Sequence, residues 1–312
     1  MIRYLLKEQH LRHYISEFKN WLRLLGYSGT TVKNYPKMLQ EFFYYIEQAG
    51  ITEIEEINQQ TIDSYAGYLH SRPNYRQVRA SPTEALAKVG GGLSNGHINR
   101  CYGVLEKFKQ YIEKTEGKKL PYQVTYIKKE RNAEVDFLQE EEIKALYNAT
   151  DETPHGYRDR AMLSIFYGCG LRRNEGVQLD TDHIFTERKT VLVTQPKNNY
   201  ERQVPITGKH FLYITQYLET ARPFFLPRKS KEHAFFISER GKRIDPNMIY
   251  KRIERLGEIA GITKTIGVHT LRHSIATHLL KKGMDLENIA LFLGHRSLDS
   301  TQVYTHILNE KY

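Results

Sequence analysis

The stretch His269-Thr270-Leu271-Arg272-His273 opens a pattern that runs on through Ala276, Leu279 and Leu280. Its apolar residues recur at the three-to-four spacing of an amphipathic helix, so an arginine with histidines close on either side sits in the first turns of a helix that buries its other face. His269 and His273 stand one helical turn apart, a spacing that can hold zinc. The glutamate that accompanies such a pair in zinc hydrolases is missing, and no third ligand stands out, so no metal is expected.

Toward the C-terminus come Leu293-Gly294-His295 and then Tyr304-Thr305-His306, on a helical pattern that continues to the end. In the other direction, Val191 and Val193 alternate with polar neighbours, Lys197-Asn198-Asn199 makes a turn, and the segment from Arg202 to Ile206 returns. That reads as a β-hairpin with Lys197 at its tip. Earlier still, Gly170-Leu171-Arg172-Arg173-Asn174-Glu175 follows an apolar helix expected over 158–168, with Ala161, Ile165 and Phe166 facing inward. A helix over 140–147, a short strand over 234–238 and a helix capped by Asp245 with Pro246 in its first position complete a domain expected to span 136–312. Its class is mainly α with a small antiparallel β-sheet.

Ahead of it, 11–111 is helical in pattern, with Val32, Tyr35, Leu39, Phe42 and Ile46 on one face, and a small helical domain is expected over 1–118. Pro36 within that run either kinks the helix or marks its start. Residues 71–92 read as an exposed basic loop carrying Arg72, Arg76 and Arg79, two prolines and Gly90-Gly91-Gly92, before an N-cap at Ser94. The glycines lack the Lys-Ser/Thr pair of a nucleotide-binding loop, so they read as linker. A second break, rich in Lys and Glu and interrupted by Pro121, is expected to be an interdomain linker over 119–135.

Length and charge suit this division. The 312 residues hold 46 Lys and Arg against 36 Asp and Glu, a formal charge of +10, with a pI near 9.3 and a mean hydropathy of −0.59. The surplus is spread along the chain, as on a folded surface that meets a polyanion, although basic surfaces also serve solubility alone. Cys101 and Cys169 show no metal-ligand spacing and fall in apolar helical patterns, so both are expected to be buried thiols in a reducing cytosol. Neither a signal peptide nor a membrane span is recognisable, and the chain is expected to work in the cytoplasm, at the nucleoid.

Taken singly, the polar candidates have ordinary readings. A double arginine usually decorates a surface, a lysine in a turn is usually solvated, and most of the 22 tyrosines pack in a core or at its rim. Together, two arginines, a lysine, two histidines and a tyrosine supply the parts of phosphoryl transfer without a metal. Tyr304 would attack, while the guanidinium forks of Arg172 and Arg272 match the charged non-bridging phosphate oxygens. Lys197 and His269 would move protons, and His295 would hydrogen-bond a phosphate oxygen.

These residues resemble the tyrosine recombinase (lambda-integrase) family, most closely its Xer-type members and the integrases of mobile elements. The first-arginine motif is met by Gly170-Leu171-Arg172 with Glu175 behind it, and the hairpin lysine by Lys197 ahead of Glu201-Arg202 and Val204-Pro205. The His-x-x-Arg box is met by His269 and Arg272, the later histidine by His295, and the nucleophile by Tyr304 within Thr301-Gln302-Val303-Tyr304-Thr305-His306. The resemblance covers almost the whole chain, though its N-terminal half is less specific. It implies a helical core-binding (SAM-like) domain followed by an α+β catalytic domain, closed as a clamp on duplex DNA with inverted-repeat core sites. It further implies a 3′-phosphotyrosyl intermediate and strand exchange in a homotetramer, with neither ATP nor cofactor. An accessory DNA-bending protein or a second recombinase would be a partner.

Four features depart from the family pattern. Arg173 stands where an aliphatic residue is usual, and Asn174 where a serine is common. The 72–92 loop is an insertion relative to compact Xer members, which favours a mobile-element recombinase that integrates or excises DNA over a chromosome-dimer resolvase. Ile307 to Tyr312 form a short tail, so exchange of a C-terminal helix between subunits is expected to be weak. Arg72, Arg76, Arg79, Arg173 and Arg202 are candidates for contact with DNA. Two further readings share parts of the pattern: a DNA-binding architectural protein that has lost the chemistry, and a type IB topoisomerase-like relaxing enzyme.

Overall fold

The computed structural model describes residues 4–72, 93–128, 137–195 and 200–294, and the chain divides into two compact units, Met1–Ala133 and Glu134–Tyr312. In the first, four α-helices are described: α1 (Gln9–Leu24), α2 (Gly29–Gln48), α3 (Gln59–Ser71) and α4 (Asn95–Glu116). Ser28 caps α2 by accepting the Thr31 N–H at 3.1 Å, so the helix starts well before Pro36. Pro36 is therefore interior, where its ring removes the donor that the Val32 carbonyl would have used. Burial of Val32, Pro36, Leu39, Phe42 and Ile46 along one face holds the helix regardless.

Around that face, Phe108 of α4 meets Phe18 and Phe43 edge-on, at centroid distances of 5.8 and 5.3 Å. Buried side chains of this size each contribute about 1.5–3 kcal/mol, and Phe108→Ala would cost about 3–5 kcal/mol. A polar staple crosses the same unit: Glu41 of α2, nearly buried, pairs with Arg72 at the end of α3 and accepts the Tyr4 hydroxyl at 3.0 Å.

The described part of the expected linker over 119–135, up to residue 128, packs on the first unit. Leu120 and Tyr122 are buried in the first unit, where the Tyr122 hydroxyl donates to the Leu105 carbonyl at 3.0 Å. Asn99 also brackets Ile127, bonding both its N–H and its carbonyl at 2.8 Å. Two apolar anchors inside a charged run dock its described part, and the division between the units, after Ala133, falls within the expected span.

The second unit begins with α5 (Glu140–Asn148) and α6 (Pro154–Leu163), which runs on into a π-helical turn at Ser164–Gly168. A short α7 (Arg173–Val177) leads to an antiparallel sheet in the order β1 (Ile184–Phe185), β2 (Thr190–Gln195), β3 (Tyr200–Pro205). There follow α8 (Gly208–Gln216), a second π-turn at Tyr217–Ala221, α9 (Arg222–Phe225), α10 (Pro246–Ile259), α11 (Val268–Lys281) and α12 (Leu286–Leu293). The expected hairpin is present, with Val191 opposite Val204 and Val193 opposite Arg202.

No strand forms at 234–238. Ala234 and Ile237 make single bridges, to Asp180 and Arg243, while Ala234, Phe235, Phe236 and Ile237 are all fully buried. A short continuous apolar run reports burial and leaves the backbone geometry open. The core gathers these residues with Phe166, Ile249, Ile253 and Leu271. Beside it, the first π-turn carries Ser164 into a buried polar group with Tyr147 and His210, the Tyr147 hydroxyl lying 3.2 Å from Ser164 Oγ and 3.1 Å from His210 Nδ1. Cys101 and Cys169 are free and buried, as expected. Among the described residues no helix is long and apolar enough to cross a membrane.

Candidate active site

Two residues beyond the first π-turn stands Gly170, whose φ of +62° turns the chain back toward α12. A Cβ at Gly170 would stand 2.9 Å from Leu293 Cδ2 and 3.0 Å from Phe292, so only glycine permits both the conformation and the approach. Leu171 is fully buried, and Arg172 then begins α7 as its N-cap residue. Three residues on, Glu175 reaches back to take the Arg172 N–H at 2.8 Å and its Nη1 at 2.9 Å. Arg172 Nη2 donates to the Gly294 carbonyl at 3.1 Å.

Arg272 arrives from α11, where Leu271 and Ser274 face inward and Ser274 Oγ accepts the Leu138 N–H at 2.8 Å. Its Nη1 donates to the Gly170 carbonyl, its Nη2 to the Leu293 carbonyl at 2.8 Å, and its Nη1 lies 4.0 Å from Glu175 Oε2. The sequence thus brings Arg172 and Arg272, a hundred residues apart, onto one carboxylate and one helix end. The Arg172 side chain keeps 35% exposure while that of Arg272 keeps 7%. Of the five donors on a guanidinium, the side chain of Arg172 spends two on described residues.

Burial would raise the carboxyl pKa of Glu175. The Arg202 fork and then the Arg172 N–H and guanidinium reverse this and hold it at about 2. His273 is pushed below its ordinary value by burial and by the neighbouring His269 and Arg272, so it stays neutral at neutral pH. His269 stands exposed in the first turn of α11, three residues before Arg272. Lys197, His295 and Tyr304 lie outside the described residues, as do Arg76 and Arg79. Strands β2 and β3, which flank Lys197 in sequence, and Gly294, which precedes His295, are described.

Two of the arginines expected to face DNA are turned inward. Arg72 is committed to Glu41. Arg202, with its side chain 7% exposed, places Nη1 and Nη2 on the two Glu175 oxygens at 3.2 and 2.9 Å. Its neighbours 201 and 203 are exposed while 202, 204 and 206 are buried. That alternation is the signal in the sequence that could have placed Arg202 inside, beside Val204. Arg173 is exposed, which leaves Arg172 as the one of the pair that enters the cluster.

Glu175 was legible only as part of a motif, although its spacing of three from Arg172 is that of a helix-start capping pair. A basic groove in the first unit was not anticipated at all. Lined by α1 and α2, it has a volume of about 630 Å³ and carries Lys19, Arg23, Lys33 and Lys37. None of the four is paired with a carboxylate among the described residues. The near-helical spacing of 19 with 23 and 33 with 37 was the available clue. Asp180, Asp182 and His183 also approach one another, but Asp180 is already paired with Arg243.

Comparison with known proteins fits this arrangement. A sequence profile described as the phage integrase family matches residues 136–311. Over 296 residues, covering 94% of this chain and 93% of the relative, the sequence is 32% identical to a tyrosine recombinase XerD of Staphylococcus epidermidis. It is 31% identical, over the same shares, to a tyrosine recombinase XerD of Staphylococcus aureus. Among solved structures, a XerH site-specific recombinase in a post-cleavage complex with palindromic difH substrate matches with a TM-score of 0.69 at 20% identity, over 97% of this chain and 86% of that one. A lambda integrase dimer bound to a COC′ core site matches with a TM-score of 0.64 at 15% identity, over 92% and 96%. The structures share the fold, and the family profile with the end-to-end relatives places the chain: it belongs to the phage integrase family, the tyrosine recombinases.

Proposed function

We propose that this site-specific recombinase cuts and rejoins duplex DNA through a covalent bond between Tyr304 and a 3′-phosphate. The observation that carries the reading is the convergence of Arg172 and Arg272 on Glu175 and on the end of α12, which fixes two cationic forks side by side. In the first step the Tyr304 oxygen bonds to phosphorus as the bond to the 5′-oxygen breaks. The phenol loses its proton, the leaving 5′-hydroxyl gains one, and Lys197 and His269 serve these transfers. Arg172 and Arg272 bind the non-bridging oxygens, with His295 as a further donor, so guanidinium charge takes the part that a metal plays elsewhere. Attack by a 5′-hydroxyl on the phosphotyrosine reverses the step, and no ATP is consumed because the phosphoester energy stays in the covalent link.

DNA is held from both units. Lys19, Arg23, Lys33 and Lys37 in the α1–α2 groove suit backbone phosphates better than Arg72, which is spent on Glu41. Arg173, exposed next to the cluster, is the corresponding candidate in the second unit, and a homotetramer on paired inverted-repeat sites is the working assembly. The insertion over 72–92 favours a mobile element as the DNA moved. End-to-end similarity to proteins named XerD favours the second reading, an Xer-type chromosome-dimer resolvase.

The test uses nicked suicide duplexes built from inverted repeats that flank the gene, and from chromosomal sites of the same symmetry. A denaturant-resistant protein–DNA adduct with wild type, absent with Tyr304→Phe, is the expected result. Which duplex gives it separates the two readings. Tight binding without an adduct on any duplex would overturn the chemistry.

A further inference from the structure

One guanidinium of the cluster has no part in the chemistry just described. Arg202 rises from β3, the strand that follows Lys197, and lies with Val193, Val191 and Val204 on the buried face of the hairpin. Its two terminal nitrogens occupy both oxygens of Glu175, at 3.2 and 2.9 Å. The same two oxygens hold the Arg172 N–H and Nη1. A carboxylate on a flexible side chain fixes a partner only when it is itself fixed, and a bidentate fork from behind leaves it one orientation. Arg202 also packs against the backbone that precedes His295: a Cβ at Gly294 would stand 2.6 Å from Arg202 Nη1.

We infer that Arg202 is a positioning residue for cleavage, which holds Glu175 so that Glu175 holds Arg172, and that it makes no contact with DNA. The inference rests on the proposed role of Arg172. It separates three fates for a buried arginine in a DNA enzyme. As a DNA contact, its loss would weaken binding and lower the salt dependence of binding by about one phosphate. As a structural ion pair, its loss would lower stability and leave the folded enzyme's chemistry alone. As a positioning residue, its loss would leave binding alone and slow the chemical step.

The experiment compares full-length wild type with Arg202→Met, Arg202→Lys, Glu175→Gln and the double variant Arg202→Met/Glu175→Gln, on the suicide duplex that wild type cleaves. Each is measured below its unfolding temperature for binding affinity at two salt concentrations and for the single-turnover rate of adduct formation. Arg202→Met is expected to bind within about 3-fold of wild type and to form adduct about 100-fold more slowly, the scale set by a misplaced catalytic group. Arg202→Lys should recover part of the rate, since it keeps the charge without the fork. The double variant should be no slower than Glu175→Gln, because Arg202 acts through that carboxylate. It also removes both buried charges together, so it keeps the test open if Arg202→Met alone fails to fold. Weakened binding with a reduced salt slope, a wild-type rate in Arg202→Met, or additive losses in the double variant would each overturn the inference. Absence of adduct with wild type on every duplex would instead overturn the function on which it rests, and the inference with it.

Discussion

Each unit of the chain buries a glutamate against arginine, and the two pairs have opposite outcomes. In the first, Glu41 meets Arg72 and the Tyr4 hydroxyl, one carboxylate to one guanidinium, and among the described residues the two charges balance. In the second, Glu175 meets Arg172, Arg202 and, at 4.0 Å, Arg272, so three positive charges against one negative leave +2 among the described residues. A balanced pair ties two helices together. An unbalanced one, held rigidly and with the Arg172 side chain partly exposed, is suited to meet an anion such as a phosphate. Charge balance, more than burial or arginine count, tells a staple from a site.

The comparison breaks first, if at all, on the two carboxylates. Glu175→Gln and Glu41→Gln are each expected to cost about 3–5 kcal/mol in urea unfolding of the full chain, because each strands a buried guanidinium. At a temperature where both remain folded, only Glu175→Gln should slow adduct formation. An equal slowing by Glu41→Gln would show that the staple is part of the site. Next in size, Arg172→Lys should slow adduct formation by about 100- to 1000-fold with DNA binding nearly unchanged, since an ammonium cannot span two phosphate oxygens. A rate near wild type would mean that charge alone suffices and that the fork geometry is incidental.

A third contrast concerns the uncharged cluster beside the π-turn. His210 is pushed down to about 4, first by burial and then by Lys209, from an ordinary value near 6.5. The unfolded chain therefore binds the extra proton first. Stability is complete above about pH 6.5 and falls as pH drops toward 4, by on the order of 2–3 kcal/mol from this residue. His210→Gln should flatten that part of a stability–pH curve. An unchanged slope would shift the dependence to His273 and His278, which are depressed as well. Smallest of all, Arg173→Ala should alter stability by no more than about 0.5 kcal/mol, because its side chain is exposed. Its adduct rate should stay within a few-fold of wild type, while a large loss would move the exposed arginine into the site.

How much of this was legible in the sequence depended on what each residue answers to. The amphipathic helices, the hairpin and the caps at Ser94 and Asp245 follow from local spacing, and they stand where that spacing puts them. The arginine motif was legible because Gly170, Leu171 and Arg172 are consecutive in the chain. Arg202 was misread because its charge was weighed ahead of its place in a period-two strand, and its partner Glu175 lies 27 residues away. The stretch at 234–238 was misread because full burial looks the same in a strand and in an irregular segment. Leu120 and Tyr122 were masked by the lysines and glutamates around them.

The π-turn at Ser164–Gly168 has a consequence of its own for the Arg172 loop. It fits one more residue into its turn than an α-helix would, which sets the following chain back in phase by about 100°. Gly170 and Arg172 thus leave the helix in a direction that an unbroken α-helix of the same residues would not take. Removing a single residue from 164–168 would change charge and hydrophobicity little, yet swing the Gly170–Arg172 turn away from Leu293. The helix serves as an index wheel, and the site depends on its count of residues as much as on their kinds.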